Sequence, residues 1–198
     1  MNRPPSRQSP QRKDRGVPPK GQPLRSSDEK MKVEISAGGI VFKRTPKGVR
    51  IAFIMDPYGK WAFAKGHVGK GEAIVDAAIR ETREEMGLGR LRVVEQLGTI
   101  DFWFRDRYRV ETKGVLIHKY VHYFLMQAPA RAKGSPQRKE KIRRIIWVGL
   151  RHAMRTSSYE DVRPILEKAI ASLSVSRREH PRTPPPAPSA PRPSKMVK

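Results

Sequence analysis

The 198 residues contain no cysteine. That excludes a disulfide framework, a thiolate zinc site and a thiol nucleophile. No apolar run approaches the ~18 residues that cross a bilayer. The opening segment, MNRPPSRQSPQRKDRG, lacks the apolar stretch of a secretory leader, so the expected location is cytoplasmic. Acids are scarce: 19 Asp and Glu stand against 42 Lys and Arg, a formal net charge of +23. Hydrophobic residues make up 37%, low for a chain that packs along its whole length.

Proline is abundant, with 18 residues, and it is unevenly placed. Residues 1–30 hold 6 Pro, 8 Lys or Arg and 3 acids; residues 174–198 hold 7 Pro, 6 Lys or Arg and 1 Glu. Neither segment has apolar periodicity. Each is expected to be a disordered basic tail, because it buries too little surface to offset the entropy of ordering. Such tails serve as solubilising ends or grip RNA, DNA or another polyanion by phosphate neutralisation. They hold no aromatic residue, so base stacking on them is not expected. Residues 31–173 remain as one domain with enough chain for one good core. A monomer or weak dimer is expected.

Within that domain, Ile35–Phe42 and Val49–Met55 read as two strands of a hairpin across Thr45-Pro46-Lys47-Gly48. Trp61–Gly71 reads as a loop. Glu72–Met86 has the strongest helical pattern, with Ile74, Ala77, Ala78 and Thr82 on one face and Gly87 as a stop. Leu91–Phe104, Val115–Met126 and Arg143–Val148 read as strands. Val162, Ile165, Leu166, Ala169, Ile170 and Leu173 define an amphipathic helix. It is expected to start near Asp161, with Ser157 or Ser158 as a cap. The sum is an α/β layered domain, a mixed sheet covered by helices.

The chemistry concentrates between Gly66 and Leu88. On a helix, Glu81, Glu84 and Glu85 sit at i, i+3 and i+4, so their carboxylates share one face within one turn. Three like charges so close disfavour the helix unless a cation offsets them, and hard oxygens suit Mg²⁺ or Mn²⁺. Arg80 is placed to pair with Glu72 and fix the preceding loop. That Gly-rich loop carries Lys65, His67 and Lys70, groups suited to phosphate oxygens. A metal between carboxylates and a basic loop describes a pyrophosphate or phosphate-ester site. Further along, His118 and His122 share a strand face with Tyr120; the face either lines the substrate cleft or opens to solvent. Arg105, Arg107, Arg109 and Lys113 form a loop that either meets polyphosphate or is solvated. Tyr123, Phe124 and Trp103 are assigned to the core.

Segment 66–88 resembles the Nudix box, G-x5-E-x7-R-E-U-x-E-E-x-G-U, where U is aliphatic. Gly66, Glu72, Arg80, Glu81, Glu84, Glu85, Gly87 and Leu88 match, and Thr82 departs from the aliphatic position. SAGGIVF before the box, WAFAKGH leading into it and the late IIWV are also similar to the family. The resemblance implies a Nudix fold and hydrolysis of a nucleoside diphosphate linked to another moiety. It implies Mg²⁺ or Mn²⁺ held by Glu81, Glu84, Glu85 and the backbone carbonyl of Lys65 or Gly66. It implies Glu84 as general base, and Arg80 and Glu72 as supporting residues. Lys65 would stabilise phosphate charge. The KGH sequence and GVLIHKYVHYFL look like the dinucleoside polyphosphate and diphosphoinositol polyphosphate hydrolases, although Ala64 and Gly69-Lys70 depart from that branch. A late acidic ligand is common in the family, and Glu140 is the candidate here. A small anionic nucleotide is the expected substrate. The alternatives are an RNA 5′-pyrophosphohydrolase, or a non-catalytic Nudix-fold RNA- or ribosome-binding module.

Overall fold

In the computed structural model, residues 31–107, 109–137, 139 and 141–175 are described. The expected tails, apart from residues 174 and 175, lie outside them, and so does Glu140. Seven strands and three helices follow in the order β1 (Met31–Thr45), β2 (Gly48–Met55), β3 (Trp61–Ala62), β4 (Ala64–His67), α1 (Ile74–Met86), β5 (Arg92–Arg105), β6 (Leu116–Gln127), β7 (Arg144–Gly149), α2 (Leu150–Thr156) and α3 (Arg163–Val175). One sheet runs β3-β2-β1-β6-β5, with β4 paired to β1 and β7 to β2. β1 and β6 are parallel and the other pairs antiparallel, so the sheet is mixed, as expected.

Side chains alternate across β1, so its two faces feed two cores. Ile40 and Phe42 pack with Ile51, Phe53, Val121, Tyr123 and Leu125 against Leu166, Ala169 and Leu173 of α3. Ala37 and Val41 pack with Ala52, Ile54, Phe124 and Met126 against Ala77, Ala78 and Met86 of α1. The sheet is thus layered between α1 on one side and α2 and α3 on the other. α1 keeps Ala77, Ala78 and Thr82 buried as the spacing requires, while Ile74 is partly exposed. Gly87 ends it in the left-handed conformation, φ 56°, its N–H donating to the Arg83 carbonyl.

Several elements differ from the sequence expectation. Two short strands replace the loop over Trp61–Gly71. Phe63 and Ala64 are buried, and Ala64–His67 pairs with Ser36–Gly39 of β1. A Cβ on Gly38 would lie 2.1 Å from the Ala64 carbonyl oxygen, so glycine at 38 is what admits β4. α2 was not legible as a separate helix. Ser157 and Ser158 do not cap α3: Ser157 follows α2, and Ser158 Oγ accepts from the Trp61 N–H at 3.0 Å. Trp103 is not core; it is half exposed and stacks on His118 with ring centroids 3.9 Å apart.

Thr82 sits where α1 crosses β1. It is fully buried, and its hydroxyl has no hydrogen-bond partner among the described residues. A Cβ on Gly39 would lie 2.8 Å from that oxygen. An unpaired buried hydroxyl costs about 1–3 kcal/mol, and valine has nearly the same shape. Thr82→Val should therefore raise stability by about 1 kcal/mol, read as a higher urea midpoint with unchanged slope. A lower midpoint would show that the hydroxyl is satisfied.

Candidate active site on the box helix

Arg80 organises the segment. Its Nε donates to Glu72 Oε1 at 2.8 Å and Nη2 to Glu72 Oε2 at 2.8 Å. Nη2 also donates to the His67 carbonyl at 3.0 Å. Nη1 donates to Glu81 Oε1 at 2.7 Å and to Glu84 Oε2 at 3.3 Å. A guanidinium has five N–H donors, and every one is used. The bidentate pair closes the Gly-rich turn onto the helix, and Glu72 Oε2 also accepts from the Gly69 N–H at 2.7 Å. These hydrogen bonds, first from Arg80 and then from Gly69, push the Glu72 carboxyl down to about 2. The same contacts raise the Arg80 pKa further.

Two box carboxylates lie against β4. The Lys65 N–H donates to Glu85 Oε2 at 3.0 Å. A Cβ on Gly66 would stand 2.0 Å from the Glu81 carboxyl carbon, so only glycine leaves room for that carboxylate beside the strand. Glu84 is the most open of the three, its side chain 45% exposed against 16% for Glu81. Among the described residues, no three acidic or imidazole groups stand together closely enough to enclose an ion. Glu81 and Glu84 turn to Arg80, and Glu85 turns to the Lys65 amide. The donor set is nonetheless all oxygen, lies within one helical turn and faces a strand with no side chain at Gly66. It fits a hard divalent cation.

β4 carries the Lys65 ammonium and the His67 imidazole to the α3 side of the sheet. Lys65 pairs with Gly38 and His67 with Ser36, and strand partners share a face. The α3 side also holds Glu34, which is 3% exposed and surrounded by cations. Arg109 Nη1 donates to Glu34 Oε1, and Lys32, His67 and Lys119 lie 3.6, 3.7 and 3.8 Å from its oxygens. Burial raises the Glu34 pKa, but the Arg109 hydrogen bond and the surrounding charges leave it below the usual value. Lys119 is pulled down by burial and by Lys65, and His67 by burial and by Lys119. The buried Asp106 shapes the loop that presents Arg109, accepting from the Arg109 N–H at 3.1 Å and the Thr112 hydroxyl at 2.6 Å.

The other expected substrate contacts are elsewhere. His118 and His122 are on the α1 side of β6, hydrogen-bonded to Asp101 and Thr99; Lys119, between them, faces Glu34 and Lys65. Lys70 is exposed in the Gly-rich turn. Arg105 donates to the Gly114 carbonyl at 3.1 Å. Glu34 and Lys119 escaped the sequence analysis; the available signal was strand alternation, which sets Lys119 opposite the two histidines.

A sheet between helices, with a loop–helix segment that ties three glutamates to one arginine, defines the Nudix class of fold and site. The NUDIX domain model matches residues 39–169, and the chain belongs to that family. It is 34% identical over 169 residues to the protein named MutT4 of Mycobacterium tuberculosis, covering 80% of this chain. The chain spans 64% of that relative's length. Among solved structures, Ap4A hydrolase of C. elegans is 25% identical, with a TM-score of 0.54 over 71% of this chain and 98% of that one. The dihydroneopterin triphosphate pyrophosphohydrolase of E. coli shares the fold at 17% identity, with a TM-score of 0.56 over 71% of this chain and 99% of that one.

The Glu72–Arg80 link makes a pH prediction. A carboxyl with a depressed folded pKa adds stability above its unfolded value, and that stability is lost as pH falls through the folded value. Glu72→Gln should therefore be less stable than the parent at pH 6. The gap should narrow as pH drops below the ordinary carboxyl value of 4.5 toward about 2. Urea unfolding at several pH values reads this; a gap of constant size would contradict it.

Proposed function

We propose that the chain hydrolyses a pyrophosphate linkage in a nucleoside diphosphate joined to another moiety, with a dinucleoside polyphosphate as the favoured substrate class. The observation that carries this is the placement of Glu81 and Glu85 against the Lys65–Gly66 backbone, with Arg80 holding the segment closed. Glu81, Glu84, Glu85 and a carbonyl of Lys65 or Gly66 are the groups that would hold Mg²⁺ or Mn²⁺. Such an ion supplies positive charge against the phosphate oxygens and the leaving bridging oxygen.

The residues divide the remaining work. Water adds to one phosphorus, the bridging P–O bond breaks, and the water's proton must be removed. Glu84 is suited to take it, because it is the most exposed box carboxylate and its contact with Arg80 is the longest. Lys65, with Lys119 and Arg109 beyond it, offers positive charge to phosphates further along the substrate. The similarity to Ap4A hydrolase supports the same class. An RNA 5′ end is the second reading, supported by the net charge of +23. A purely binding role is disfavoured, because every carboxylate of the box is present.

Glu84→Gln and Glu85→Gln should each lower kcat by about 100-fold or more with little change in melting temperature. Excess chelator should remove activity, and Mg²⁺ or Mn²⁺ should restore it. Steady-state assays on a panel of dinucleoside polyphosphates, nucleoside triphosphates and 5′-triphosphorylated RNA check both points and rank the substrates. Parental turnover in either variant would refute the site assignment, and full activity in chelator would remove the metal.

A further inference from the structure

We propose that the β1–β2 hairpin forms a second binding site, for the phosphate backbone of single-stranded nucleic acid. It does not depend on the hydrolytic reading. Lys43 and Arg50 are direct cross-strand partners. Like charges directly opposite each other destabilise a sheet. With Lys47 in the turn, they line an open cleft whose other walls are Thr45, Pro46 and Trp147. Lys43 Nζ sits 4.0 Å from the centre of the Trp147 ring and donates to the Ala132 carbonyl. That packing holds one cation beside the other; burial and the Arg50 charge depress the Lys43 pKa.

Among the described residues no carboxylate relieves the repulsion. Residues 43–55 and 141–159 contain no Asp or Glu. Among the described residues, Lys43, Lys47 and Arg50 make no ion pair. An acid at 43 or 50 would have removed the penalty, so the pair is better explained by an anion brought from outside. The site is separate from the carboxylates: Lys43 is five residues past Gly38, the β1 partner of Lys65, or about 17 Å along the strand. The cleft is open, with the Lys43–Arg50 pair on the strands and Lys47 beyond it at the turn. That suits successive phosphates of a strand, which bind by counterion release.

The test uses the full chain and a fluorescent oligouridylate of about twelve nucleotides, with anisotropy measured at several salt concentrations. The double variant Lys47→Gln/Arg50→Gln is compared with Arg90→Gln/Arg163→Gln, which removes the same charge elsewhere. The hairpin variant should bind about tenfold more weakly and show a salt slope smaller by about two, while the control stays within about threefold of the parent. The hairpin variant should also melt no lower than the parent, because the repulsion has gone. Equal losses in both variants would overturn the proposal in favour of diffuse charge. Competition by millimolar orthophosphate or by polyglutamate as effective as unlabelled RNA would also overturn it, pointing to a lone-anion site or an acidic protein partner.

Discussion

The guanidinium of Arg80 is the contact on which the site depends. One side chain spends its five donors on Glu72, Glu81, Glu84 and the His67 carbonyl. It thereby joins the Gly-rich turn, the end of β4 and the box helix. Three glutamates within one turn repel one another, and Arg80 offsets part of that repulsion. The cost of assembling an acidic helix face is met locally, and the face keeps its charge for a cation. A lysine could not replace it, because one ammonium cannot fork to Glu72 and reach Glu81 at the same time.

The sheet then sorts charge by face. α1 and its carboxylates lie on one side, while Lys65, His67 and Lys119 project to the other with Glu34 among them. β4 connects the two sides, since its backbone amide meets Glu85 and its side chains meet the cation cluster. Its approach to β1 requires Gly38, just as the approach of Glu81 requires Gly66. Two glycines thus set how closely carboxylate, strand and basic side chains stand.

The fold was largely legible because long periodic segments dominate it. The box helix, the paired strands around β1 and the apolar stripe of α3 all announce themselves by spacing. β3 and β4 did not, since strands of two and four residues are too short to carry a period, and only their pairing with β2 and β1 defines them. The motif singled out Glu72, Arg80 and the three glutamates; helix geometry alone groups Arg80 with the three glutamates, while Glu72 joins from the turn before α1. It could not show that Arg80 also holds Glu81 and Glu84, which depends on rotamers. Glu34 and Lys119 were hidden for a different reason: they meet through parallel pairing of strands 85 residues apart in sequence. His118 and His122 lie on the α1 face of β6, the face of the box carboxylates, and Lys119 between them lies on the face of the β4 side chains.

Glu81, Glu84 and Glu85 are proposed to form a divalent-cation site together. The most direct test is Mn²⁺ titration of the full chain followed by electron paramagnetic resonance, comparing the parent with Glu81→Gln/Glu85→Gln. The parent should remove free Mn²⁺ signal by saturable binding, and the double variant should do so far more weakly at equal concentration. Identical titrations for the two proteins would contradict it.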